Sequence, residues 1–210
     1  MRTLSDCRLY GILDLGYIGV ADAERVTKAM INGDIDLIQL RGKKHSAAEL
    51  LDLAAKLHPI TSGAGVPLIV NDYADVAAQV SVEGVHVGQD DDSIAVARGK
   101  AGRKIIVGKS THTLAQAGAA QREGADYIGF GPVFATPTKP DYEPVGLELI
   151  KPVHANTSLP IFCIGGIKID NLGHVLAAGA KRVAIVSGLL KAPDVAKYTR
   201  ACKALLNPEA

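Results

Sequence analysis

Eight short apolar runs alternate with eight amphipathic helical runs along this chain, and the alternation predicts an α/β fold: a single (β/α)8 TIM barrel. Two further observations point the same way. The 210 residues form one unbroken series without a low-complexity segment or linker, so one domain over 1–210 is expected. The apolar share is 48% while aromatics make up only 4%. Packing then falls to Ala, Val, Ile and Leu, as in parallel sheets whose strands are apolar on both faces. A doubly wound open sheet is the competing architecture. It places Gly-x-Gly-x-x-Gly after its first strand, and Gly11-Ile12-Leu13-Asp14 does not match that pattern.

Each element has its own signal. Arg8–Asp14 is an apolar run ending in a carboxylate, and it leads to a helix near 21–32. Leu37–Arg41 ends in a cation. The helix near 46–61 that follows carries Leu50, Leu53, Ala54 and Leu57 at the i, i+3, i+4 spacing of a buried stripe. Leu68–Asn71 precedes a helix near 74–80, and Gly84–Val87 one near 92–100. Ile105–Lys109 leads to a helix near 113–122. Tyr127–Gly131 runs through a loop rich in Gly and Pro to a helix near 146–156. Ile161–Ile164 with a helix near 170–178, then Val183–Ser187 with one near 193–206, complete the count. Gly33, Gly124 and Gly179 read as helix C-caps.

Charge excludes some partners. With 23 Lys+Arg against 22 Asp+Glu, no global field favours nucleic acid or an anionic membrane, so neither is expected as a partner. Any anion site is therefore local. Cys7, Cys163 and Cys202 stand far apart in no metal-ligand spacing, which fits a reducing compartment, and Cys163 reads as a small core residue. The segment from Met1 to Asp6 lacks the apolar stretch of a signal peptide, and no run is long enough to span a bilayer. A cytoplasmic location is expected.

Polar residues gather at the C-terminal ends of the strands, the face where such barrels do chemistry. Asp14 follows the first strand; Gln39, Arg41 and Lys43 the second; Asn71 and Asp72 the third. His86 and Gln89-Asp90-Asp91 belong to the fourth, and Ser110, Thr111 and His112 to the fifth. Thr136-Pro137-Thr138-Lys139 lies in the loop after the sixth, Gly165-Gly166 ends the seventh, and Ser187-Gly188 the eighth. Taken singly, Asp72, Asp91 or Ser110 reads equally well as an ordinary helix cap.

The rim divides into two anion sites. Cys163-Ile164-Gly165-Gly166-Ile167 and Ile185-Val186-Ser187-Gly188 offer backbone N–H groups and a hydroxyl, a cradle for a monophosphate. Arg41, Lys43 and Lys139 facing Asp72 and Asp91 suit a diphosphate bound with Mg2+, which takes one or two carboxylates plus phosphate oxygens. The plainer reading of the same residues is an ion-pair cluster. Zinc is disfavoured because no Cys/His set converges. His86 is read as a satisfied core histidine, His112 as a polar cap, and His45, His58, His154 and His174 as surface residues. No nucleophile–base pair is present, so covalent catalysis has no support.

The ordered set closely resembles the thiamine-phosphate synthase (thiamine-phosphate pyrophosphorylase) family. The likeness runs from Tyr10-Gly11-Ile12-Leu13-Asp14 through Gln39-Leu40-Arg41-Gly42-Lys43 and Leu68-Ile69-Val70-Asn71-Asp72. It continues in Gly84-Val85-His86-Val87-Gly88-Gln89-Asp90-Asp91, Gly108-Lys109-Ser110-Thr111-His112, Thr136-Pro137-Thr138-Lys139, Ile164-Gly165-Gly166-Ile167 and Val186-Ser187. The resemblance implies a transferase of thiamine biosynthesis that joins hydroxymethylpyrimidine diphosphate and a thiazole phosphate, giving thiamine phosphate and pyrophosphate. It implies that Gln39, Leu40, Arg41, Gly42, Lys43, Asn71, Ser110 and Lys139 hold the pyrimidine diphosphate. Asp72 and Asp91 are implied Mg2+ ligands, and Thr136, Pro137, Thr138, Gly166, Val186 and Ser187 hold the thiazole phosphate. Arg41, Lys43, Lys139 and Ser110 are the implied catalytic groups. By analogy a homodimer is expected.

The chain departs from the family at two places. An acidic residue often stands at the position of Gly42, and an Arg at that of Tyr73. The nearest competitor is the related thiazole tautomerase, which places a catalytic His where this chain has Pro132 and is expected to lack the carboxylate of Asp91. A non-catalytic barrel that binds thiamine phosphate is the third reading. Both carboxylates and all three cations argue against it.

Overall fold

The computed structural model describes residues 2–136 and 143–207. Eight parallel strands close on themselves in sequence order: β1 (Leu9–Asp14), β2 (Leu37–Arg41), β3 (Leu68–Asn71), β4 (Gly84–Val87), β5 (Ile106–Thr111), β6 (Tyr127–Phe130), β7 (Ile161–Ile164) and β8 (Val183–Ile185), with β8 pairing β1. The helices around them are α1 (Ala23–Asn32), α2 (Ala47–Gly63), α3 (Ala74–Val80), α4 (Ile94–Ala101), α5 (Leu114–Arg122), α6 (Ile150–Asn156), α7 (Ile169–Ala177), α8 (Ser187–Leu190) and α9 (Val195–Leu206). The expected barrel is the observed one.

Several boundaries move, and two of the moves matter. β5 extends to Thr111, because Ser110 and Thr111 still pair with Gly129 and Phe130 of β6; Ser110 thus stands on a strand and not in a loop. β8 stops at Ile185, and Ser187 opens the short helix α8, which no periodicity in the sequence announces. Such barrels often carry a short extra helix here beside a phosphate site. Gly33 ends α1 as expected, but its φ of −91° is open to any residue. Close approach explains the glycine, since a Cβ there would lie 2.5 Å from the Thr199 Cβ.

Helix starts separate caps from site residues. Ser46 caps α2 in a reciprocal box with Glu49, Ser93 accepts from Val96 N–H at the start of α4, and Thr113 accepts from Gln116 N–H at the start of α5. Asp91, Ser110 and His112 are therefore not the caps of their helices. Asp72 does not cap α3 either: Tyr73 stands there and makes no side-chain capping bond.

Two apolar layers hold the barrel. The larger lies between strands and helices, and Leu40, Leu50, Val70, Val85 and Val107 belong to it. The smaller fills the barrel interior with Cys7, Tyr10, Ile12, Leu37, Ile69, Tyr127, Phe162 and Ala184. Tyr10, Tyr127 and Phe162 meet edge-to-face, with ring centroids 5.2–5.9 Å apart. At the N-terminal end, buried Asp36 accepts from the N–H of Arg8 (2.8 Å) and of Leu9 (2.9 Å), and pairs with Arg2 and Lys203. All three cysteines are buried free thiols, and burial pushes each up to about 12. Among the described residues no helix is long and apolar enough to cross a membrane.

Candidate active site

A cavity of about 360 Å3 opens at the C-terminal ends of the strands. Its side walls follow from the period of two along each strand: Tyr10, Ile12 and Asp14 of β1 face inward, as do Gln39 and Arg41 of β2 and Ser110 of β5. Phe162, Ile164 and Ala184 give it an apolar base.

The structure brings most of the expected site residues together. Gln39, Arg41, Lys43, Asn71, Asp72, Asp91, Ser110, Thr136, Gly166, Val186 and Ser187 all line the cavity. Leu40 does not; its side chain is fully buried in the outer layer, as alternation requires of the residue between Gln39 and Arg41. Gly42 does not either, and a Cβ there would lie 2.8 Å from Leu50 Cδ2 and 3.0 Å from Leu15 Cδ1, so a side chain at this position requires the ends of those two leucines to shift. Pro137, Thr138 and Lys139 lie outside the described residues.

Cations and carboxylates are matched in pairs at the mouth. Arg41 Nη1 pairs with Asp14, which is buried and also accepts from Gly16 N–H at 2.8 Å. Lys43 Nζ lies 2.5 Å from Asp72 Oδ2 and 3.9 Å from Asp91 Oδ1. Asp72 adopts a left-handed backbone (φ 65°), a conformation in which Asp is enriched among non-glycine residues. Its N–H donates to the His86 carbonyl (2.8 Å) across to β4. Burial pushes the Asp72 carboxyl up, and neighbouring Asp91 adds to that against the pull of Lys43. Burial also acts upward on Asp91, but hydrogen bonds from Asp72 and from Gly88 N–H, with the charges of Lys43 and Lys109, leave it lowered.

The opposite wall is built from backbone. Gly165 (φ 101°) and Gly166 (φ 65°) are left-handed, and a Cβ on either would strike the loop after β6, at Pro132 Cα (2.4 Å) or Phe134 Cβ (2.6 Å). Val133 N–H and Phe134 N–H donate to the carbonyls of Ile164 (2.8 Å) and Gly165 (3.0 Å), so the loops after β6 and β7 run side by side and deliver Thr136 to the cavity. Val186, just past β8, and Ser187, the first residue of α8, close the ring.

Sequence reasoning missed or undervalued several residues. His86 is buried and satisfied, as read, yet it also lines the cavity, with Nδ1 at 3.0 Å from the Tyr127 hydroxyl and Nε2 at 2.9 Å from Ser110 Oγ. His112, read as a cap, lines the cavity and holds the Gly131 carbonyl through Nδ1 at 2.5 Å. His45, His58 and His154 are half-buried, and only His174 is a plain surface residue. Lys109 is buried with Nζ on the Gly88 carbonyl (2.7 Å), a positive charge behind Asp91. Counting by twos along β1, β4 and β6 from the rim residues would have placed Tyr10, His86 and Tyr127 inside the barrel. No local signal marks Lys109.

The arrangement offers cations and bare backbone, both suited to phosphate, on two sides of one cavity, with two carboxylates in contact. Among the described residues no three His, Cys, Asp or Glu side chains converge. Two carboxylates beside phosphate oxygens are nonetheless an Mg2+ donor set. Lys43, close to both, marks where positive charge meets them.

Known proteins share this design. The family model described as thiamine monophosphate synthase matches residues 9–189. The thiamine-phosphate synthase of Chloroflexus aurantiacus is 43% identical over 203 residues, covering 96% of this chain and 94% of that protein. That of Pelotomaculum thermopropionicum is 43% identical over 206 residues, covering 97% and 94%. Among solved structures, thiamine phosphate pyrophosphorylase from Pyrococcus furiosus superposes with a TM-score of 0.89 at 30% identity, over 98% of both chains. The 3-hexulose-6-phosphate synthase of Salmonella typhimurium, with a TM-score of 0.74 at 15% identity over 97% of this chain and all of the other, shares the fold alone.

Proposed function

This chain belongs to the thiamine monophosphate synthase family, and we propose that its barrel joins hydroxymethylpyrimidine diphosphate to a thiazole phosphate, giving thiamine phosphate and pyrophosphate. It is a transferase acting on small molecules. The observation that carries the reading is the mouth itself: Arg41 and Lys43 beside the touching carboxylates Asp72 and Asp91, facing the bare backbone of Gly165 and Gly166 across one cavity.

Arg41 and Lys43, with Lys139, hold the diphosphate oxygens. As the carbon–oxygen bond breaks, its electron pair leaves with the diphosphate, and these cations stabilise the growing charge. Asp14 fixes one arm of Arg41, so the guanidinium is oriented before substrate arrives. Asp72 and Asp91 are the residues that would hold Mg2+, which when bound supplies further positive charge to the departing diphosphate. Gln39, Asn71 and Ser110 bind the pyrimidine diphosphate along the strand ends, within the run that includes Leu40 and Gly42. Thr136 through Thr138, Gly166, Val186 and Ser187 bind the thiazole phosphate, placing the ring nitrogen to capture the pyrimidine-methyl cation with its lone pair. No proton moves in that exchange, so it asks for no covalent step from Ser110, although His86 Nε2 lies 2.9 Å from its Oγ and the two form the hydroxyl–imidazole pair that the sequence reading did not expect. The reading extends to one domain over 1–210, acting in the cytoplasm as a homodimer, which sedimentation of the purified protein checks.

Purified protein given both substrates and Mg2+ is expected to form thiamine phosphate and pyrophosphate in equal amounts. A well-folded protein that forms neither refutes the reading. Lys139→Ala is expected to lower turnover roughly tenfold or more through lost charge stabilisation, and unchanged turnover removes Lys139 from the mechanism.

A further inference from the structure

A hydrogen-bonded chain of five side chains crosses the barrel interior, one from each of β2, β1, β6, β4 and β5. Gln39 Nε2 donates to the Tyr10 hydroxyl at 2.6 Å, and the Tyr10 and Tyr127 hydroxyls are 2.9 Å apart. The Tyr127 hydroxyl lies 3.0 Å from His86 Nδ1, and His86 Nε2 lies 2.9 Å from Ser110 Oγ. Both ends of the chain, Gln39 and Ser110, line the cavity. The middle is tightly built. A Cβ on Gly108 would lie 2.2 Å from Tyr127 Cζ and 2.5 Å from His86 Nδ1, so the Tyr127–His86 contact exists because position 108 carries no side chain.

The direction of one bond sets the direction of all. Burial pushes both phenols up, so each keeps its proton and has one hydrogen to donate. Tyr10 accepts from Gln39 and therefore donates to Tyr127. Tyr127 in turn donates to His86 Nδ1, which carries no hydrogen. The imidazole proton then sits on Nε2 and points at Ser110 Oγ, leaving the serine hydrogen for the cavity. At the other end the Gln39 amide nitrogen is engaged with Tyr10, so its Oε1 is the atom offered to a ligand.

We propose that this buried chain is a polarity relay that presents Ser110 as a hydrogen-bond donor and Gln39 as an acceptor to the bound pyrimidine, with Tyr10, Tyr127 and His86 as positioning residues. It selects a ring that offers a donor to Gln39 and an acceptor to Ser110. A pyrimidine with an oxo group replacing its amino group puts an acceptor against Gln39 Oε1, leaving two buried acceptors face to face. The identity of the ligand rests on the proposed function; the direction of the relay does not.

Histidine labelled with 15N reads the relay directly in the substrate-free protein, with the His86 signals identified by their loss in His86→Asn. The expected result is a neutral imidazole protonated on Nε2. Protonation on Nδ1 reverses the relay and overturns the proposal, whatever the enzyme's activity. Tyr127→Phe removes the donor to Nδ1, and both tautomers are then expected, with kcat lowered roughly tenfold, the worth of one hydrogen bond, and the KM for the thiazole phosphate unchanged. An imidazole that stays wholly on Nε2 in Tyr127→Phe shows that something else sets it, and also overturns the proposal. Should that variant not fold, Tyr10→Phe frees Tyr127 to reverse and is read by the same criterion.

Discussion

At the floor of the barrel Asp36 is 2% exposed and meets two backbone N–H groups, Arg2 and Lys203. At the mouth Asp72 and Asp91 meet each other and share one lysine, Lys43, whose side chain is 49% exposed. Both ends use Asp, Lys and Arg, yet the floor sets buried Asp36 and exposed Asp34 against Arg2 and Lys203, while at the mouth Asp72 and Asp91 share the half-exposed Lys43. The floor is an internally completed network that ties the N-terminal segment, β1 and α9 together. The mouth leaves Lys43 half exposed beside its two carboxylates, which suits the diphosphate and Mg2+ proposed for it. Stability and activity should therefore separate between the two ends.

The largest expected effect is at the floor. Asp36→Ala takes the buried partner from Arg2 and Lys203, leaving them only the exposed Asp34, and strips acceptors from Arg8 N–H and Leu9 N–H, so a loss of about 3 kcal/mol is expected in urea unfolding. The activity of the molecules that remain folded should be unchanged. Asp91→Asn makes the opposite trade. It relieves the contact with Asp72 and can still accept from Gly88 N–H, so the unfolding midpoint should not fall, while kcat should drop roughly 10²–10³-fold. A variant of either residue that loses stability and activity together would break the distinction between floor and mouth.

Gly108→Ala tests the layer between the two ends. Its Cβ overlaps Tyr127 and His86, and overpacking of that kind costs about 1–3 kcal/mol. Unfolding and steady-state kinetics should both register it. The smallest expected effect sharpens the floor. His154 is half-buried, its Nε2 has no hydrogen-bond partner among the described residues, and burial with Lys181 and Arg182 lowers its pKa from 6.5. The unfolded chain then binds the proton more readily, so stability is full above pH 6.5 and declines as pH falls through that value toward the folded pKa. His154→Gln should flatten this part of the stability–pH curve, and an unaltered curve shows that His154 carries none of it.

Legibility in the sequence varied with the range of the interaction. Gln39, Arg41, Asp72, Asp91 and Ser110 could be read because each lies at the end of a strand, and strand ends in a barrel converge. Leu40 belonged to the same matched run, yet alternation turns its side chain away from the cavity. Lys109 could not be read at all: its ammonium reaches Gly88 across a strand boundary, and only the register of β4 against β5 brings them together. The caps were ambiguous for a similar reason. Asp91 and Ser93 are both plausible N-caps on paper, and the bond from Val96 N–H to Ser93 decides between them.

By itself the sequence determined the eight-fold alternation, the closed barrel it implies and the rim that gathers the polar residues. Those follow from local periodicity and from the covalent order of strands and helices. Tertiary structure alone decided what those residues do to one another. It paired Arg41 with Asp14, set Lys43 between two carboxylates, and strung Gln39, Tyr10, Tyr127, His86 and Ser110 into one chain. The physical reason is that a pattern of period two says which face a side chain takes, whereas hydrogen bonds and charge contacts depend on register between strands far apart in sequence.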